Sequence, residues 1–169
     1  MRTILAFTAA LALLVPLSSH AGKSLIAEQI VDIDAPPAKV WAIVKNYDAL
    51  PTWHPAFKGD VIKSGQNNTV GAVRTLTLGS GESFDEELLS FSDKRMTVRY
   101  RIVGDSPFPL AKYVSSMTVG KTKDGRARIV WQGRFENKPG SGKTDEEVVQ
   151  LIDGAYKAGL DNVKKLAEQ

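Results

Sequence analysis

The chain contains no cysteine. That excludes disulfides, thiolate zinc sites, a thiol nucleophile and a lipid-anchored N-terminal cysteine. Histidine is almost as scarce, with only His20 and His54 present, so a histidine-built metal site lacks ligands and none is expected. Charge of one sign is not concentrated anywhere. The formal net charge is +3 with no basic block, which argues against nucleic acid as a partner. Glycine-rich phosphate loops are missing too. Gly79-Ser80-Gly81 reads as a turn rather than the opening of a G-x-G-x-x-G helix, so no cofactor is expected.

Long apolar runs are also lacking, with one short exception. Arg2 precedes a stretch from Ile4 to Val15 that is apolar but for Thr8, Pro16 interrupts it, and Ser19-His20-Ala21 follows. This pattern reads as a secretory signal peptide cleaved after Ala21. At about 12 residues the stretch falls short of the roughly 20 that span a bilayer, so no stable membrane anchor is expected. Residues 1–21 are then a leader and 22–169 a single domain. An exported chain without disulfides fits a bacterial periplasm. Loss of His20 with the leader would leave His54 as the one side chain that titrates near neutral pH unaided.

Beyond the leader, turn clusters punctuate β-like segments. Strands are expected at Leu25–Ile33, Phe57–Lys63, Ala72–Leu78, Phe84–Phe91, Met96–Val103, Tyr113–Val119 and Arg126–Asn137. The connections are too short for helical crossovers, so the sheet is antiparallel. Between the first two strands, Pro36-Pro37 suits a first helical turn with Asp34 as its cap, and Val40, Trp41, Ile43 and Val44 follow at helical spacing. A second short turn carries Leu50 and Trp53 and stops at His54-Pro55. After Pro139-Gly140-Ser141-Gly142, a T-x-x-E capping box at Thr144 and Glu147 opens a long helix with apolar residues from Val148 to Leu166. Gly154, Ala155, Ala158 and Gly159 fall on or near its inner face, which either lets the helix sit close to the sheet or leaves volume for a ligand.

Alternation along the strands puts Arg74, Leu76 and Leu78 on one face; Glu86, Leu88 and Ser90 on one; Tyr100 with Ile102; Tyr113, Ser115 and Met117 together; and Trp131, Gly133 and Phe135 together. The resulting interior is apolar with a few polar tips, as small-molecule sites are. Arg74 and Glu86 lie on adjacent strands of a hairpin and are placed to pair. They would serve as an anchor for a ligand carboxylate, carbonyl or hydroxyl, or as a salt bridge closing the polar end of the sheet. His54 suits general acid–base work with a carboxylate or tyrosine, or a backbone-bonded position at a helix end. Phe108, between Pro107 and Pro109, is expected as an exposed apolar point that acts as a lid or a partner contact.

Ile33-Asp34-Ala35-Pro36 with Val40-Trp41, Trp53-His54-Pro55, Gly71-Ala72-Val73-Arg74, Glu86-Glu87-Leu88, Tyr100, Pro109 with Tyr113, Trp131 and Phe135 together resemble the START-like helix-grip (SRPBCC) superfamily, in its bacterial polyketide cyclase/dehydrase branch. The resemblance implies an α+β fold in which about seven curved antiparallel strands grip a long C-terminal helix, with two short helices after the first strand. In the related plant hormone receptors, positions similar to His54, Glu86, Tyr113 and Ser115 line the ligand cavity. Their gate and latch sequences have no counterpart here. The exported, cysteine-free chain also resembles the MxaD-like group of periplasmic accessory proteins, which implies a methanol dehydrogenase and its cytochrome as partners. Expected ligand contacts are His54, Arg74, Leu76, Glu86, Tyr100, Tyr113, Ser115, Trp131, Phe135 and, from the helix, Ala158. The expected function is non-catalytic binding of a small apolar or amphipathic molecule, or an accessory role. The alternative is a cyclase or dehydratase using His54, Glu86 and Tyr113.

Overall fold

A computed structural model describes residues 22–169; the expected leader lies outside the described residues. In chain order the elements are β1 (Leu25–Ile33), α1 (Pro37–Val44), a single 3₁₀ turn (Leu50–Thr52), β2 (Phe57–Ser64), β3 (Val73–Leu78), β4 (Ser83–Ser92), β5 (Thr97–Val103), β6 (Leu110–Lys121), β7 (Ala127–Asn137) and α2 (Asp145–Ala167). All seven strands form one antiparallel sheet in the order β1-β7-β6-β5-β4-β3-β2. The curved sheet grips α2, giving the helix-grip architecture.

Local chemistry explains the elements. Thr144 and Glu147 exchange both bonds of the capping box, and three acids in the first turn of α2 face its positive end. The inner stripe of α2 is Val148, Ile152, Tyr156, Gly159, Leu160 and Val163, all buried. Charged side chains of α2 and of Glu168 at its C-cap also bond to the edge strand. Asp153 accepts from the Glu28 N–H at 2.9 Å, Lys164 donates to the Asp32 carbonyl at 2.8 Å, and Glu168 accepts from the Asp34 N–H at 2.8 Å. One N–H and one carbonyl of β1 that an open edge would leave for another chain, and one N–H just past it, are thereby paired.

Three expectations need correction. Asp34 does not cap α1. The helix starts later, with Pro36 at the cap and Pro37 at its first position, where the missing N–H costs nothing. The strand expected from Tyr113 begins at Leu110 and crosses a bulge at Lys112, whose φ of 54° lies in the left-handed region. Ser90 does not share a face with Glu86 and Leu88. A register shift after Leu88 pairs Ser90 with Arg99 and turns Phe91 inward against Trp41, with ring centroids 5.8 Å apart.

Candidate functional site

A cavity of about 80 Å³ lies between the concave face of the sheet and the middle of α2. His54 and Leu50 contribute from the 3₁₀ turn and its exit, and the strands supply Arg74, Leu76, Phe84, Glu86, Tyr100, Tyr113 and Trp131. Ile152, Ala155 and Tyr156 close it from α2, while Phe108 and the 41 % exposed Leu151 stand at its rim. The volume is about half of the roughly 150 Å³ at which a dry apolar cavity admits benzene, which sets a single ring as the upper limit for a guest.

Its polar floor is built on register. Arg74 faces Glu86 directly across the β3–β4 ladder. The guanidinium donates from Nε at 3.1 Å and Nη2 at 2.6 Å, both to Glu86 Oε2. Nη1 donates to the Tyr47 carbonyl and, at 3.2 Å, to Asp60 Oδ2. The rings of Tyr47 and Tyr100 lie 4.1 and 5.4 Å from the guanidinium carbon. Burial pushes the carboxyls of Glu86 and Asp60 up, opposed by Arg74, while the two carboxylates hold Arg74 firmly protonated. Both bonds to Glu86 fall on Oε2, so Oε1 has no partner among the described residues. Asp60 Oδ1 is buried without one as well.

Sequence alternation misses Asp60. A bulge between Phe57 and Gly59 reverses the parity of β2, so Asp60 and Ile62 turn inward and Val61 is left 66 % exposed. An acid flanked by apolar residues in an edge strand is the available signal.

His54 is 1 % exposed. Its Nε2 lies 3.0 Å from the Ala155 carbonyl, which can only accept, so Nε2 carries the proton. Nδ1 accepts from the Ala56 N–H at 3.2 Å. Both ring nitrogens are therefore used by backbone. Phe57 and Trp131 meet the ring edge-on at 4.8 and 5.7 Å. Burial pulls its pKa down to about 4, against the opposing pull of the Ala155 bond. Gly159 makes this approach possible, because a Cβ there would lie 2.6 Å from His54 Cδ2 and 3.0 Å from Trp131 Cζ3.

A second polar group has a fixed direction. Ser115 Oγ donates to the Gln132 carbonyl at 2.9 Å, so at its 3.0 Å contact with Tyr156 it accepts. With the Tyr156 proton spent there, Tyr113 donates to Tyr156 across 2.6 Å. The Trp131 indole N–H is shared between Tyr100 Oη at 2.9 Å and Ser115 Oγ at 3.1 Å. Burial raises both Tyr113 and Tyr156 well above the ordinary tyrosine pKa. Tyr156 stacks on Trp131 at 4.3 Å and occupies the space above Gly133, where a Cβ would fall on its hydroxyl. Helical spacing places Tyr156 only in the helix core, since nothing in that spacing marks where its hydroxyl ends.

Of the expected contacts, His54, Arg74, Leu76, Glu86, Tyr100, Tyr113 and Trp131 line the cavity. Ser115 sits behind the tyrosine pair, and Phe135 is buried against Tyr113 with ring centroids 6.2 Å apart. Ala158 is corrected outright. It is exposed, because it falls between the inward positions Tyr156 and Gly159 on the opposite side of the helix. Phe108 is corrected in part, being half-buried and edge-on to Phe84 at 5.2 Å rather than a free tip. Among the described residues no group of three or more His, Asp or Glu is placed to hold a metal.

Solved structures share this architecture. The protein XoxI from Bacillus cereus is 26% identical with a TM-score of 0.75, covering 84% of this chain and 94% of its own. An uncharacterised protein from Bacillus thuringiensis is 27% identical with a TM-score of 0.76, over 86% of this chain and 100% of its own. A Thermobifida fusca protein is 26% identical with a TM-score of 0.71, over 82% and 90%. The family model for "Polyketide cyclase / dehydrase and lipid transport" matches residues 25–168, and the chain belongs to that family.

Proposed function

We propose that this protein binds one small apolar molecule, no larger than a single ring, in the cavity under α2 and does so without turnover. The observation that carries this reading is the state of the three side chains an enzyme would use. His54 has both nitrogens tied to backbone, Glu86 is held by Arg74, and Tyr113 gives its proton to Tyr156. Neither His54 nor Tyr113 is free to move a proton to or from a guest, and Glu86 without such a partner can only accept a hydrogen bond, while the walls remain apolar and largely pre-formed. A multi-ring polyketide exceeds the cavity as it stands.

The same proposal places the protein in the periplasm, from the leader-like residues 1–21. Mass spectrometry of the exported protein should then give a chain that starts at Gly22. Binding is tested by titrating residues 22–169 with toluene and following tryptophan fluorescence, since Trp131 lines the cavity. A saturable one-site isotherm is expected, and it should vanish in Ala155→Leu, which fills the cavity from α2. A linear, non-saturating response would refute the reading.

An accessory role toward a periplasmic redox enzyme is the second reading. Ile26 and Ile30, 45 % and 53 % exposed on β1, favour it by giving the convex face two apolar contacts of the same strand.

A further inference from the structure

The cavity has a bias in its hydrogen-bonding groups that its apolar walls conceal. Arg74 is the obvious anchor for an acidic guest, yet four of its five N–H groups are already donated, to two carboxylates and a carbonyl. A ligand carboxylate there would be the third beside a single guanidinium, in a place where water cannot screen it. His54 Nε2–H is spent on Ala155, and the hydroxyl protons of Tyr113, Tyr156 and Ser115 all run away from the cavity toward the Gln132 carbonyl. Two donors stay unassigned, the Tyr100 hydroxyl proton, since Tyr100 Oη only accepts from Trp131, and the fifth Arg74 N–H, but both lie in the field of the Glu86 carboxylate. The strongest group the lining leaves over is therefore an acceptor. Glu86, 4 % exposed, has Oε1 unpaired among the described residues, and Tyr113 Oη, having donated its proton, keeps its lone pairs.

Resting on the ligand-binding reading above, we infer that the cavity selects a compact apolar molecule carrying a hydrogen-bond donor, a hydroxyl or an amine, and rejects carboxylates, through Glu86 and Tyr113. A donor on the guest would satisfy Glu86 Oε1 and strengthen a buried pair that is otherwise short of donors.

Four probes of one ring size separate the possibilities in calorimetric titrations of residues 22–169: toluene, benzyl alcohol, benzylamine and benzoate. At least one of benzyl alcohol and benzylamine should bind about fivefold or more tighter than toluene, the gain of one hydrogen bond. Benzoate should bind about tenfold or more weaker than toluene, its charge being buried beside two carboxylates. If benzoate equals or exceeds toluene, or neither donor improves on toluene, the inference is overturned while the cavity remains a binding site. If none of the four binds, the ligand-binding reading falls and takes the inference with it. Tyr113→Phe keeps the ring packing should Glu86→Gln not fold. The preference for donors should shrink about threefold in whichever variant folds, the loss of part of one hydrogen bond. A preference unchanged there overturns the assignment to these residues.

Discussion

His54 shows how one residue's role is set by what surrounds it. Its ordinary pKa of 6.5 drops to about 4 because the folded protein buries the ring and offers it only backbone partners. The unfolded chain therefore binds the proton more readily than the native one. Stability from His54 is present in full above about pH 6.5 and is lost as pH falls from there toward 4. The loss should approach about 3 kcal/mol by about pH 4. Glu86 and Asp60, whose carboxyls are raised, have the opposite sign and gain stability on acidification. Subtracting His54→Gln from the native protein in denaturant unfolding at about pH 7, 5.5 and 4.5 removes their common contribution. The difference should fall with pH, and a constant difference would show that His54 is accessible to protons in the fold.

At the level of elements, α2 carries two glycines with opposite consequences. Gly154 is exposed, and a Cβ added there would meet nothing within 4 Å, whereas one at Gly159 would run into His54 and Trp131. Gly154→Ala should raise stability by about 0.5–1 kcal/mol through helix propensity alone. Gly159→Ala should lower it by about 1–3 kcal/mol, since His54 has to leave the Ala155 carbonyl or the helix has to lift. Thermal unfolding of the two single variants gives the comparison, and equal shifts of one sign would refute the packing described. Helix phase separates the inner stripe of α2 from its outer face and fixes Gly159 inward. Small size is a poorer guide, since it suggests an inward Ala158 and that residue lies outward. The strands are legible in their positions because alternation and turn residues are local signals. Their inward faces are legible only up to each bulge. The shifts in β2, β4 and β6 depend on pairing with the next strand, and a single extra residue sends Asp60 inward and Ser90 outward.

For the molecule as a whole, access to the cavity is governed where the loop before β6 meets α2. Phe108 leans edge-on against Phe84 and lines the cavity beside Leu151. Phe108→Ala should widen the opening, so that a larger, neutral fluorescent naphthylamine binds saturably to the variant and not to the native protein. The cost should be about 1–2 kcal/mol, below that of a fully buried phenylalanine. Binding of that probe to both proteins alike would mean the loop does not limit entry. From the sequence alone came the antiparallel sheet, the long capped helix, the apolar interior and the Arg74–Glu86 pair, because periodicity, capping and hairpin adjacency act over a few residues. Only the tertiary structure decided that Asp60 joins that pair, that Tyr156 completes the serine–tyrosine chain, and that His54 is bonded to backbone at both nitrogens. Each of those contacts joins different elements of the fold, and their geometry depends on bulges and on two missing Cβ atoms, at Gly133 and Gly159, whose effect exists only once helix and sheet are packed together.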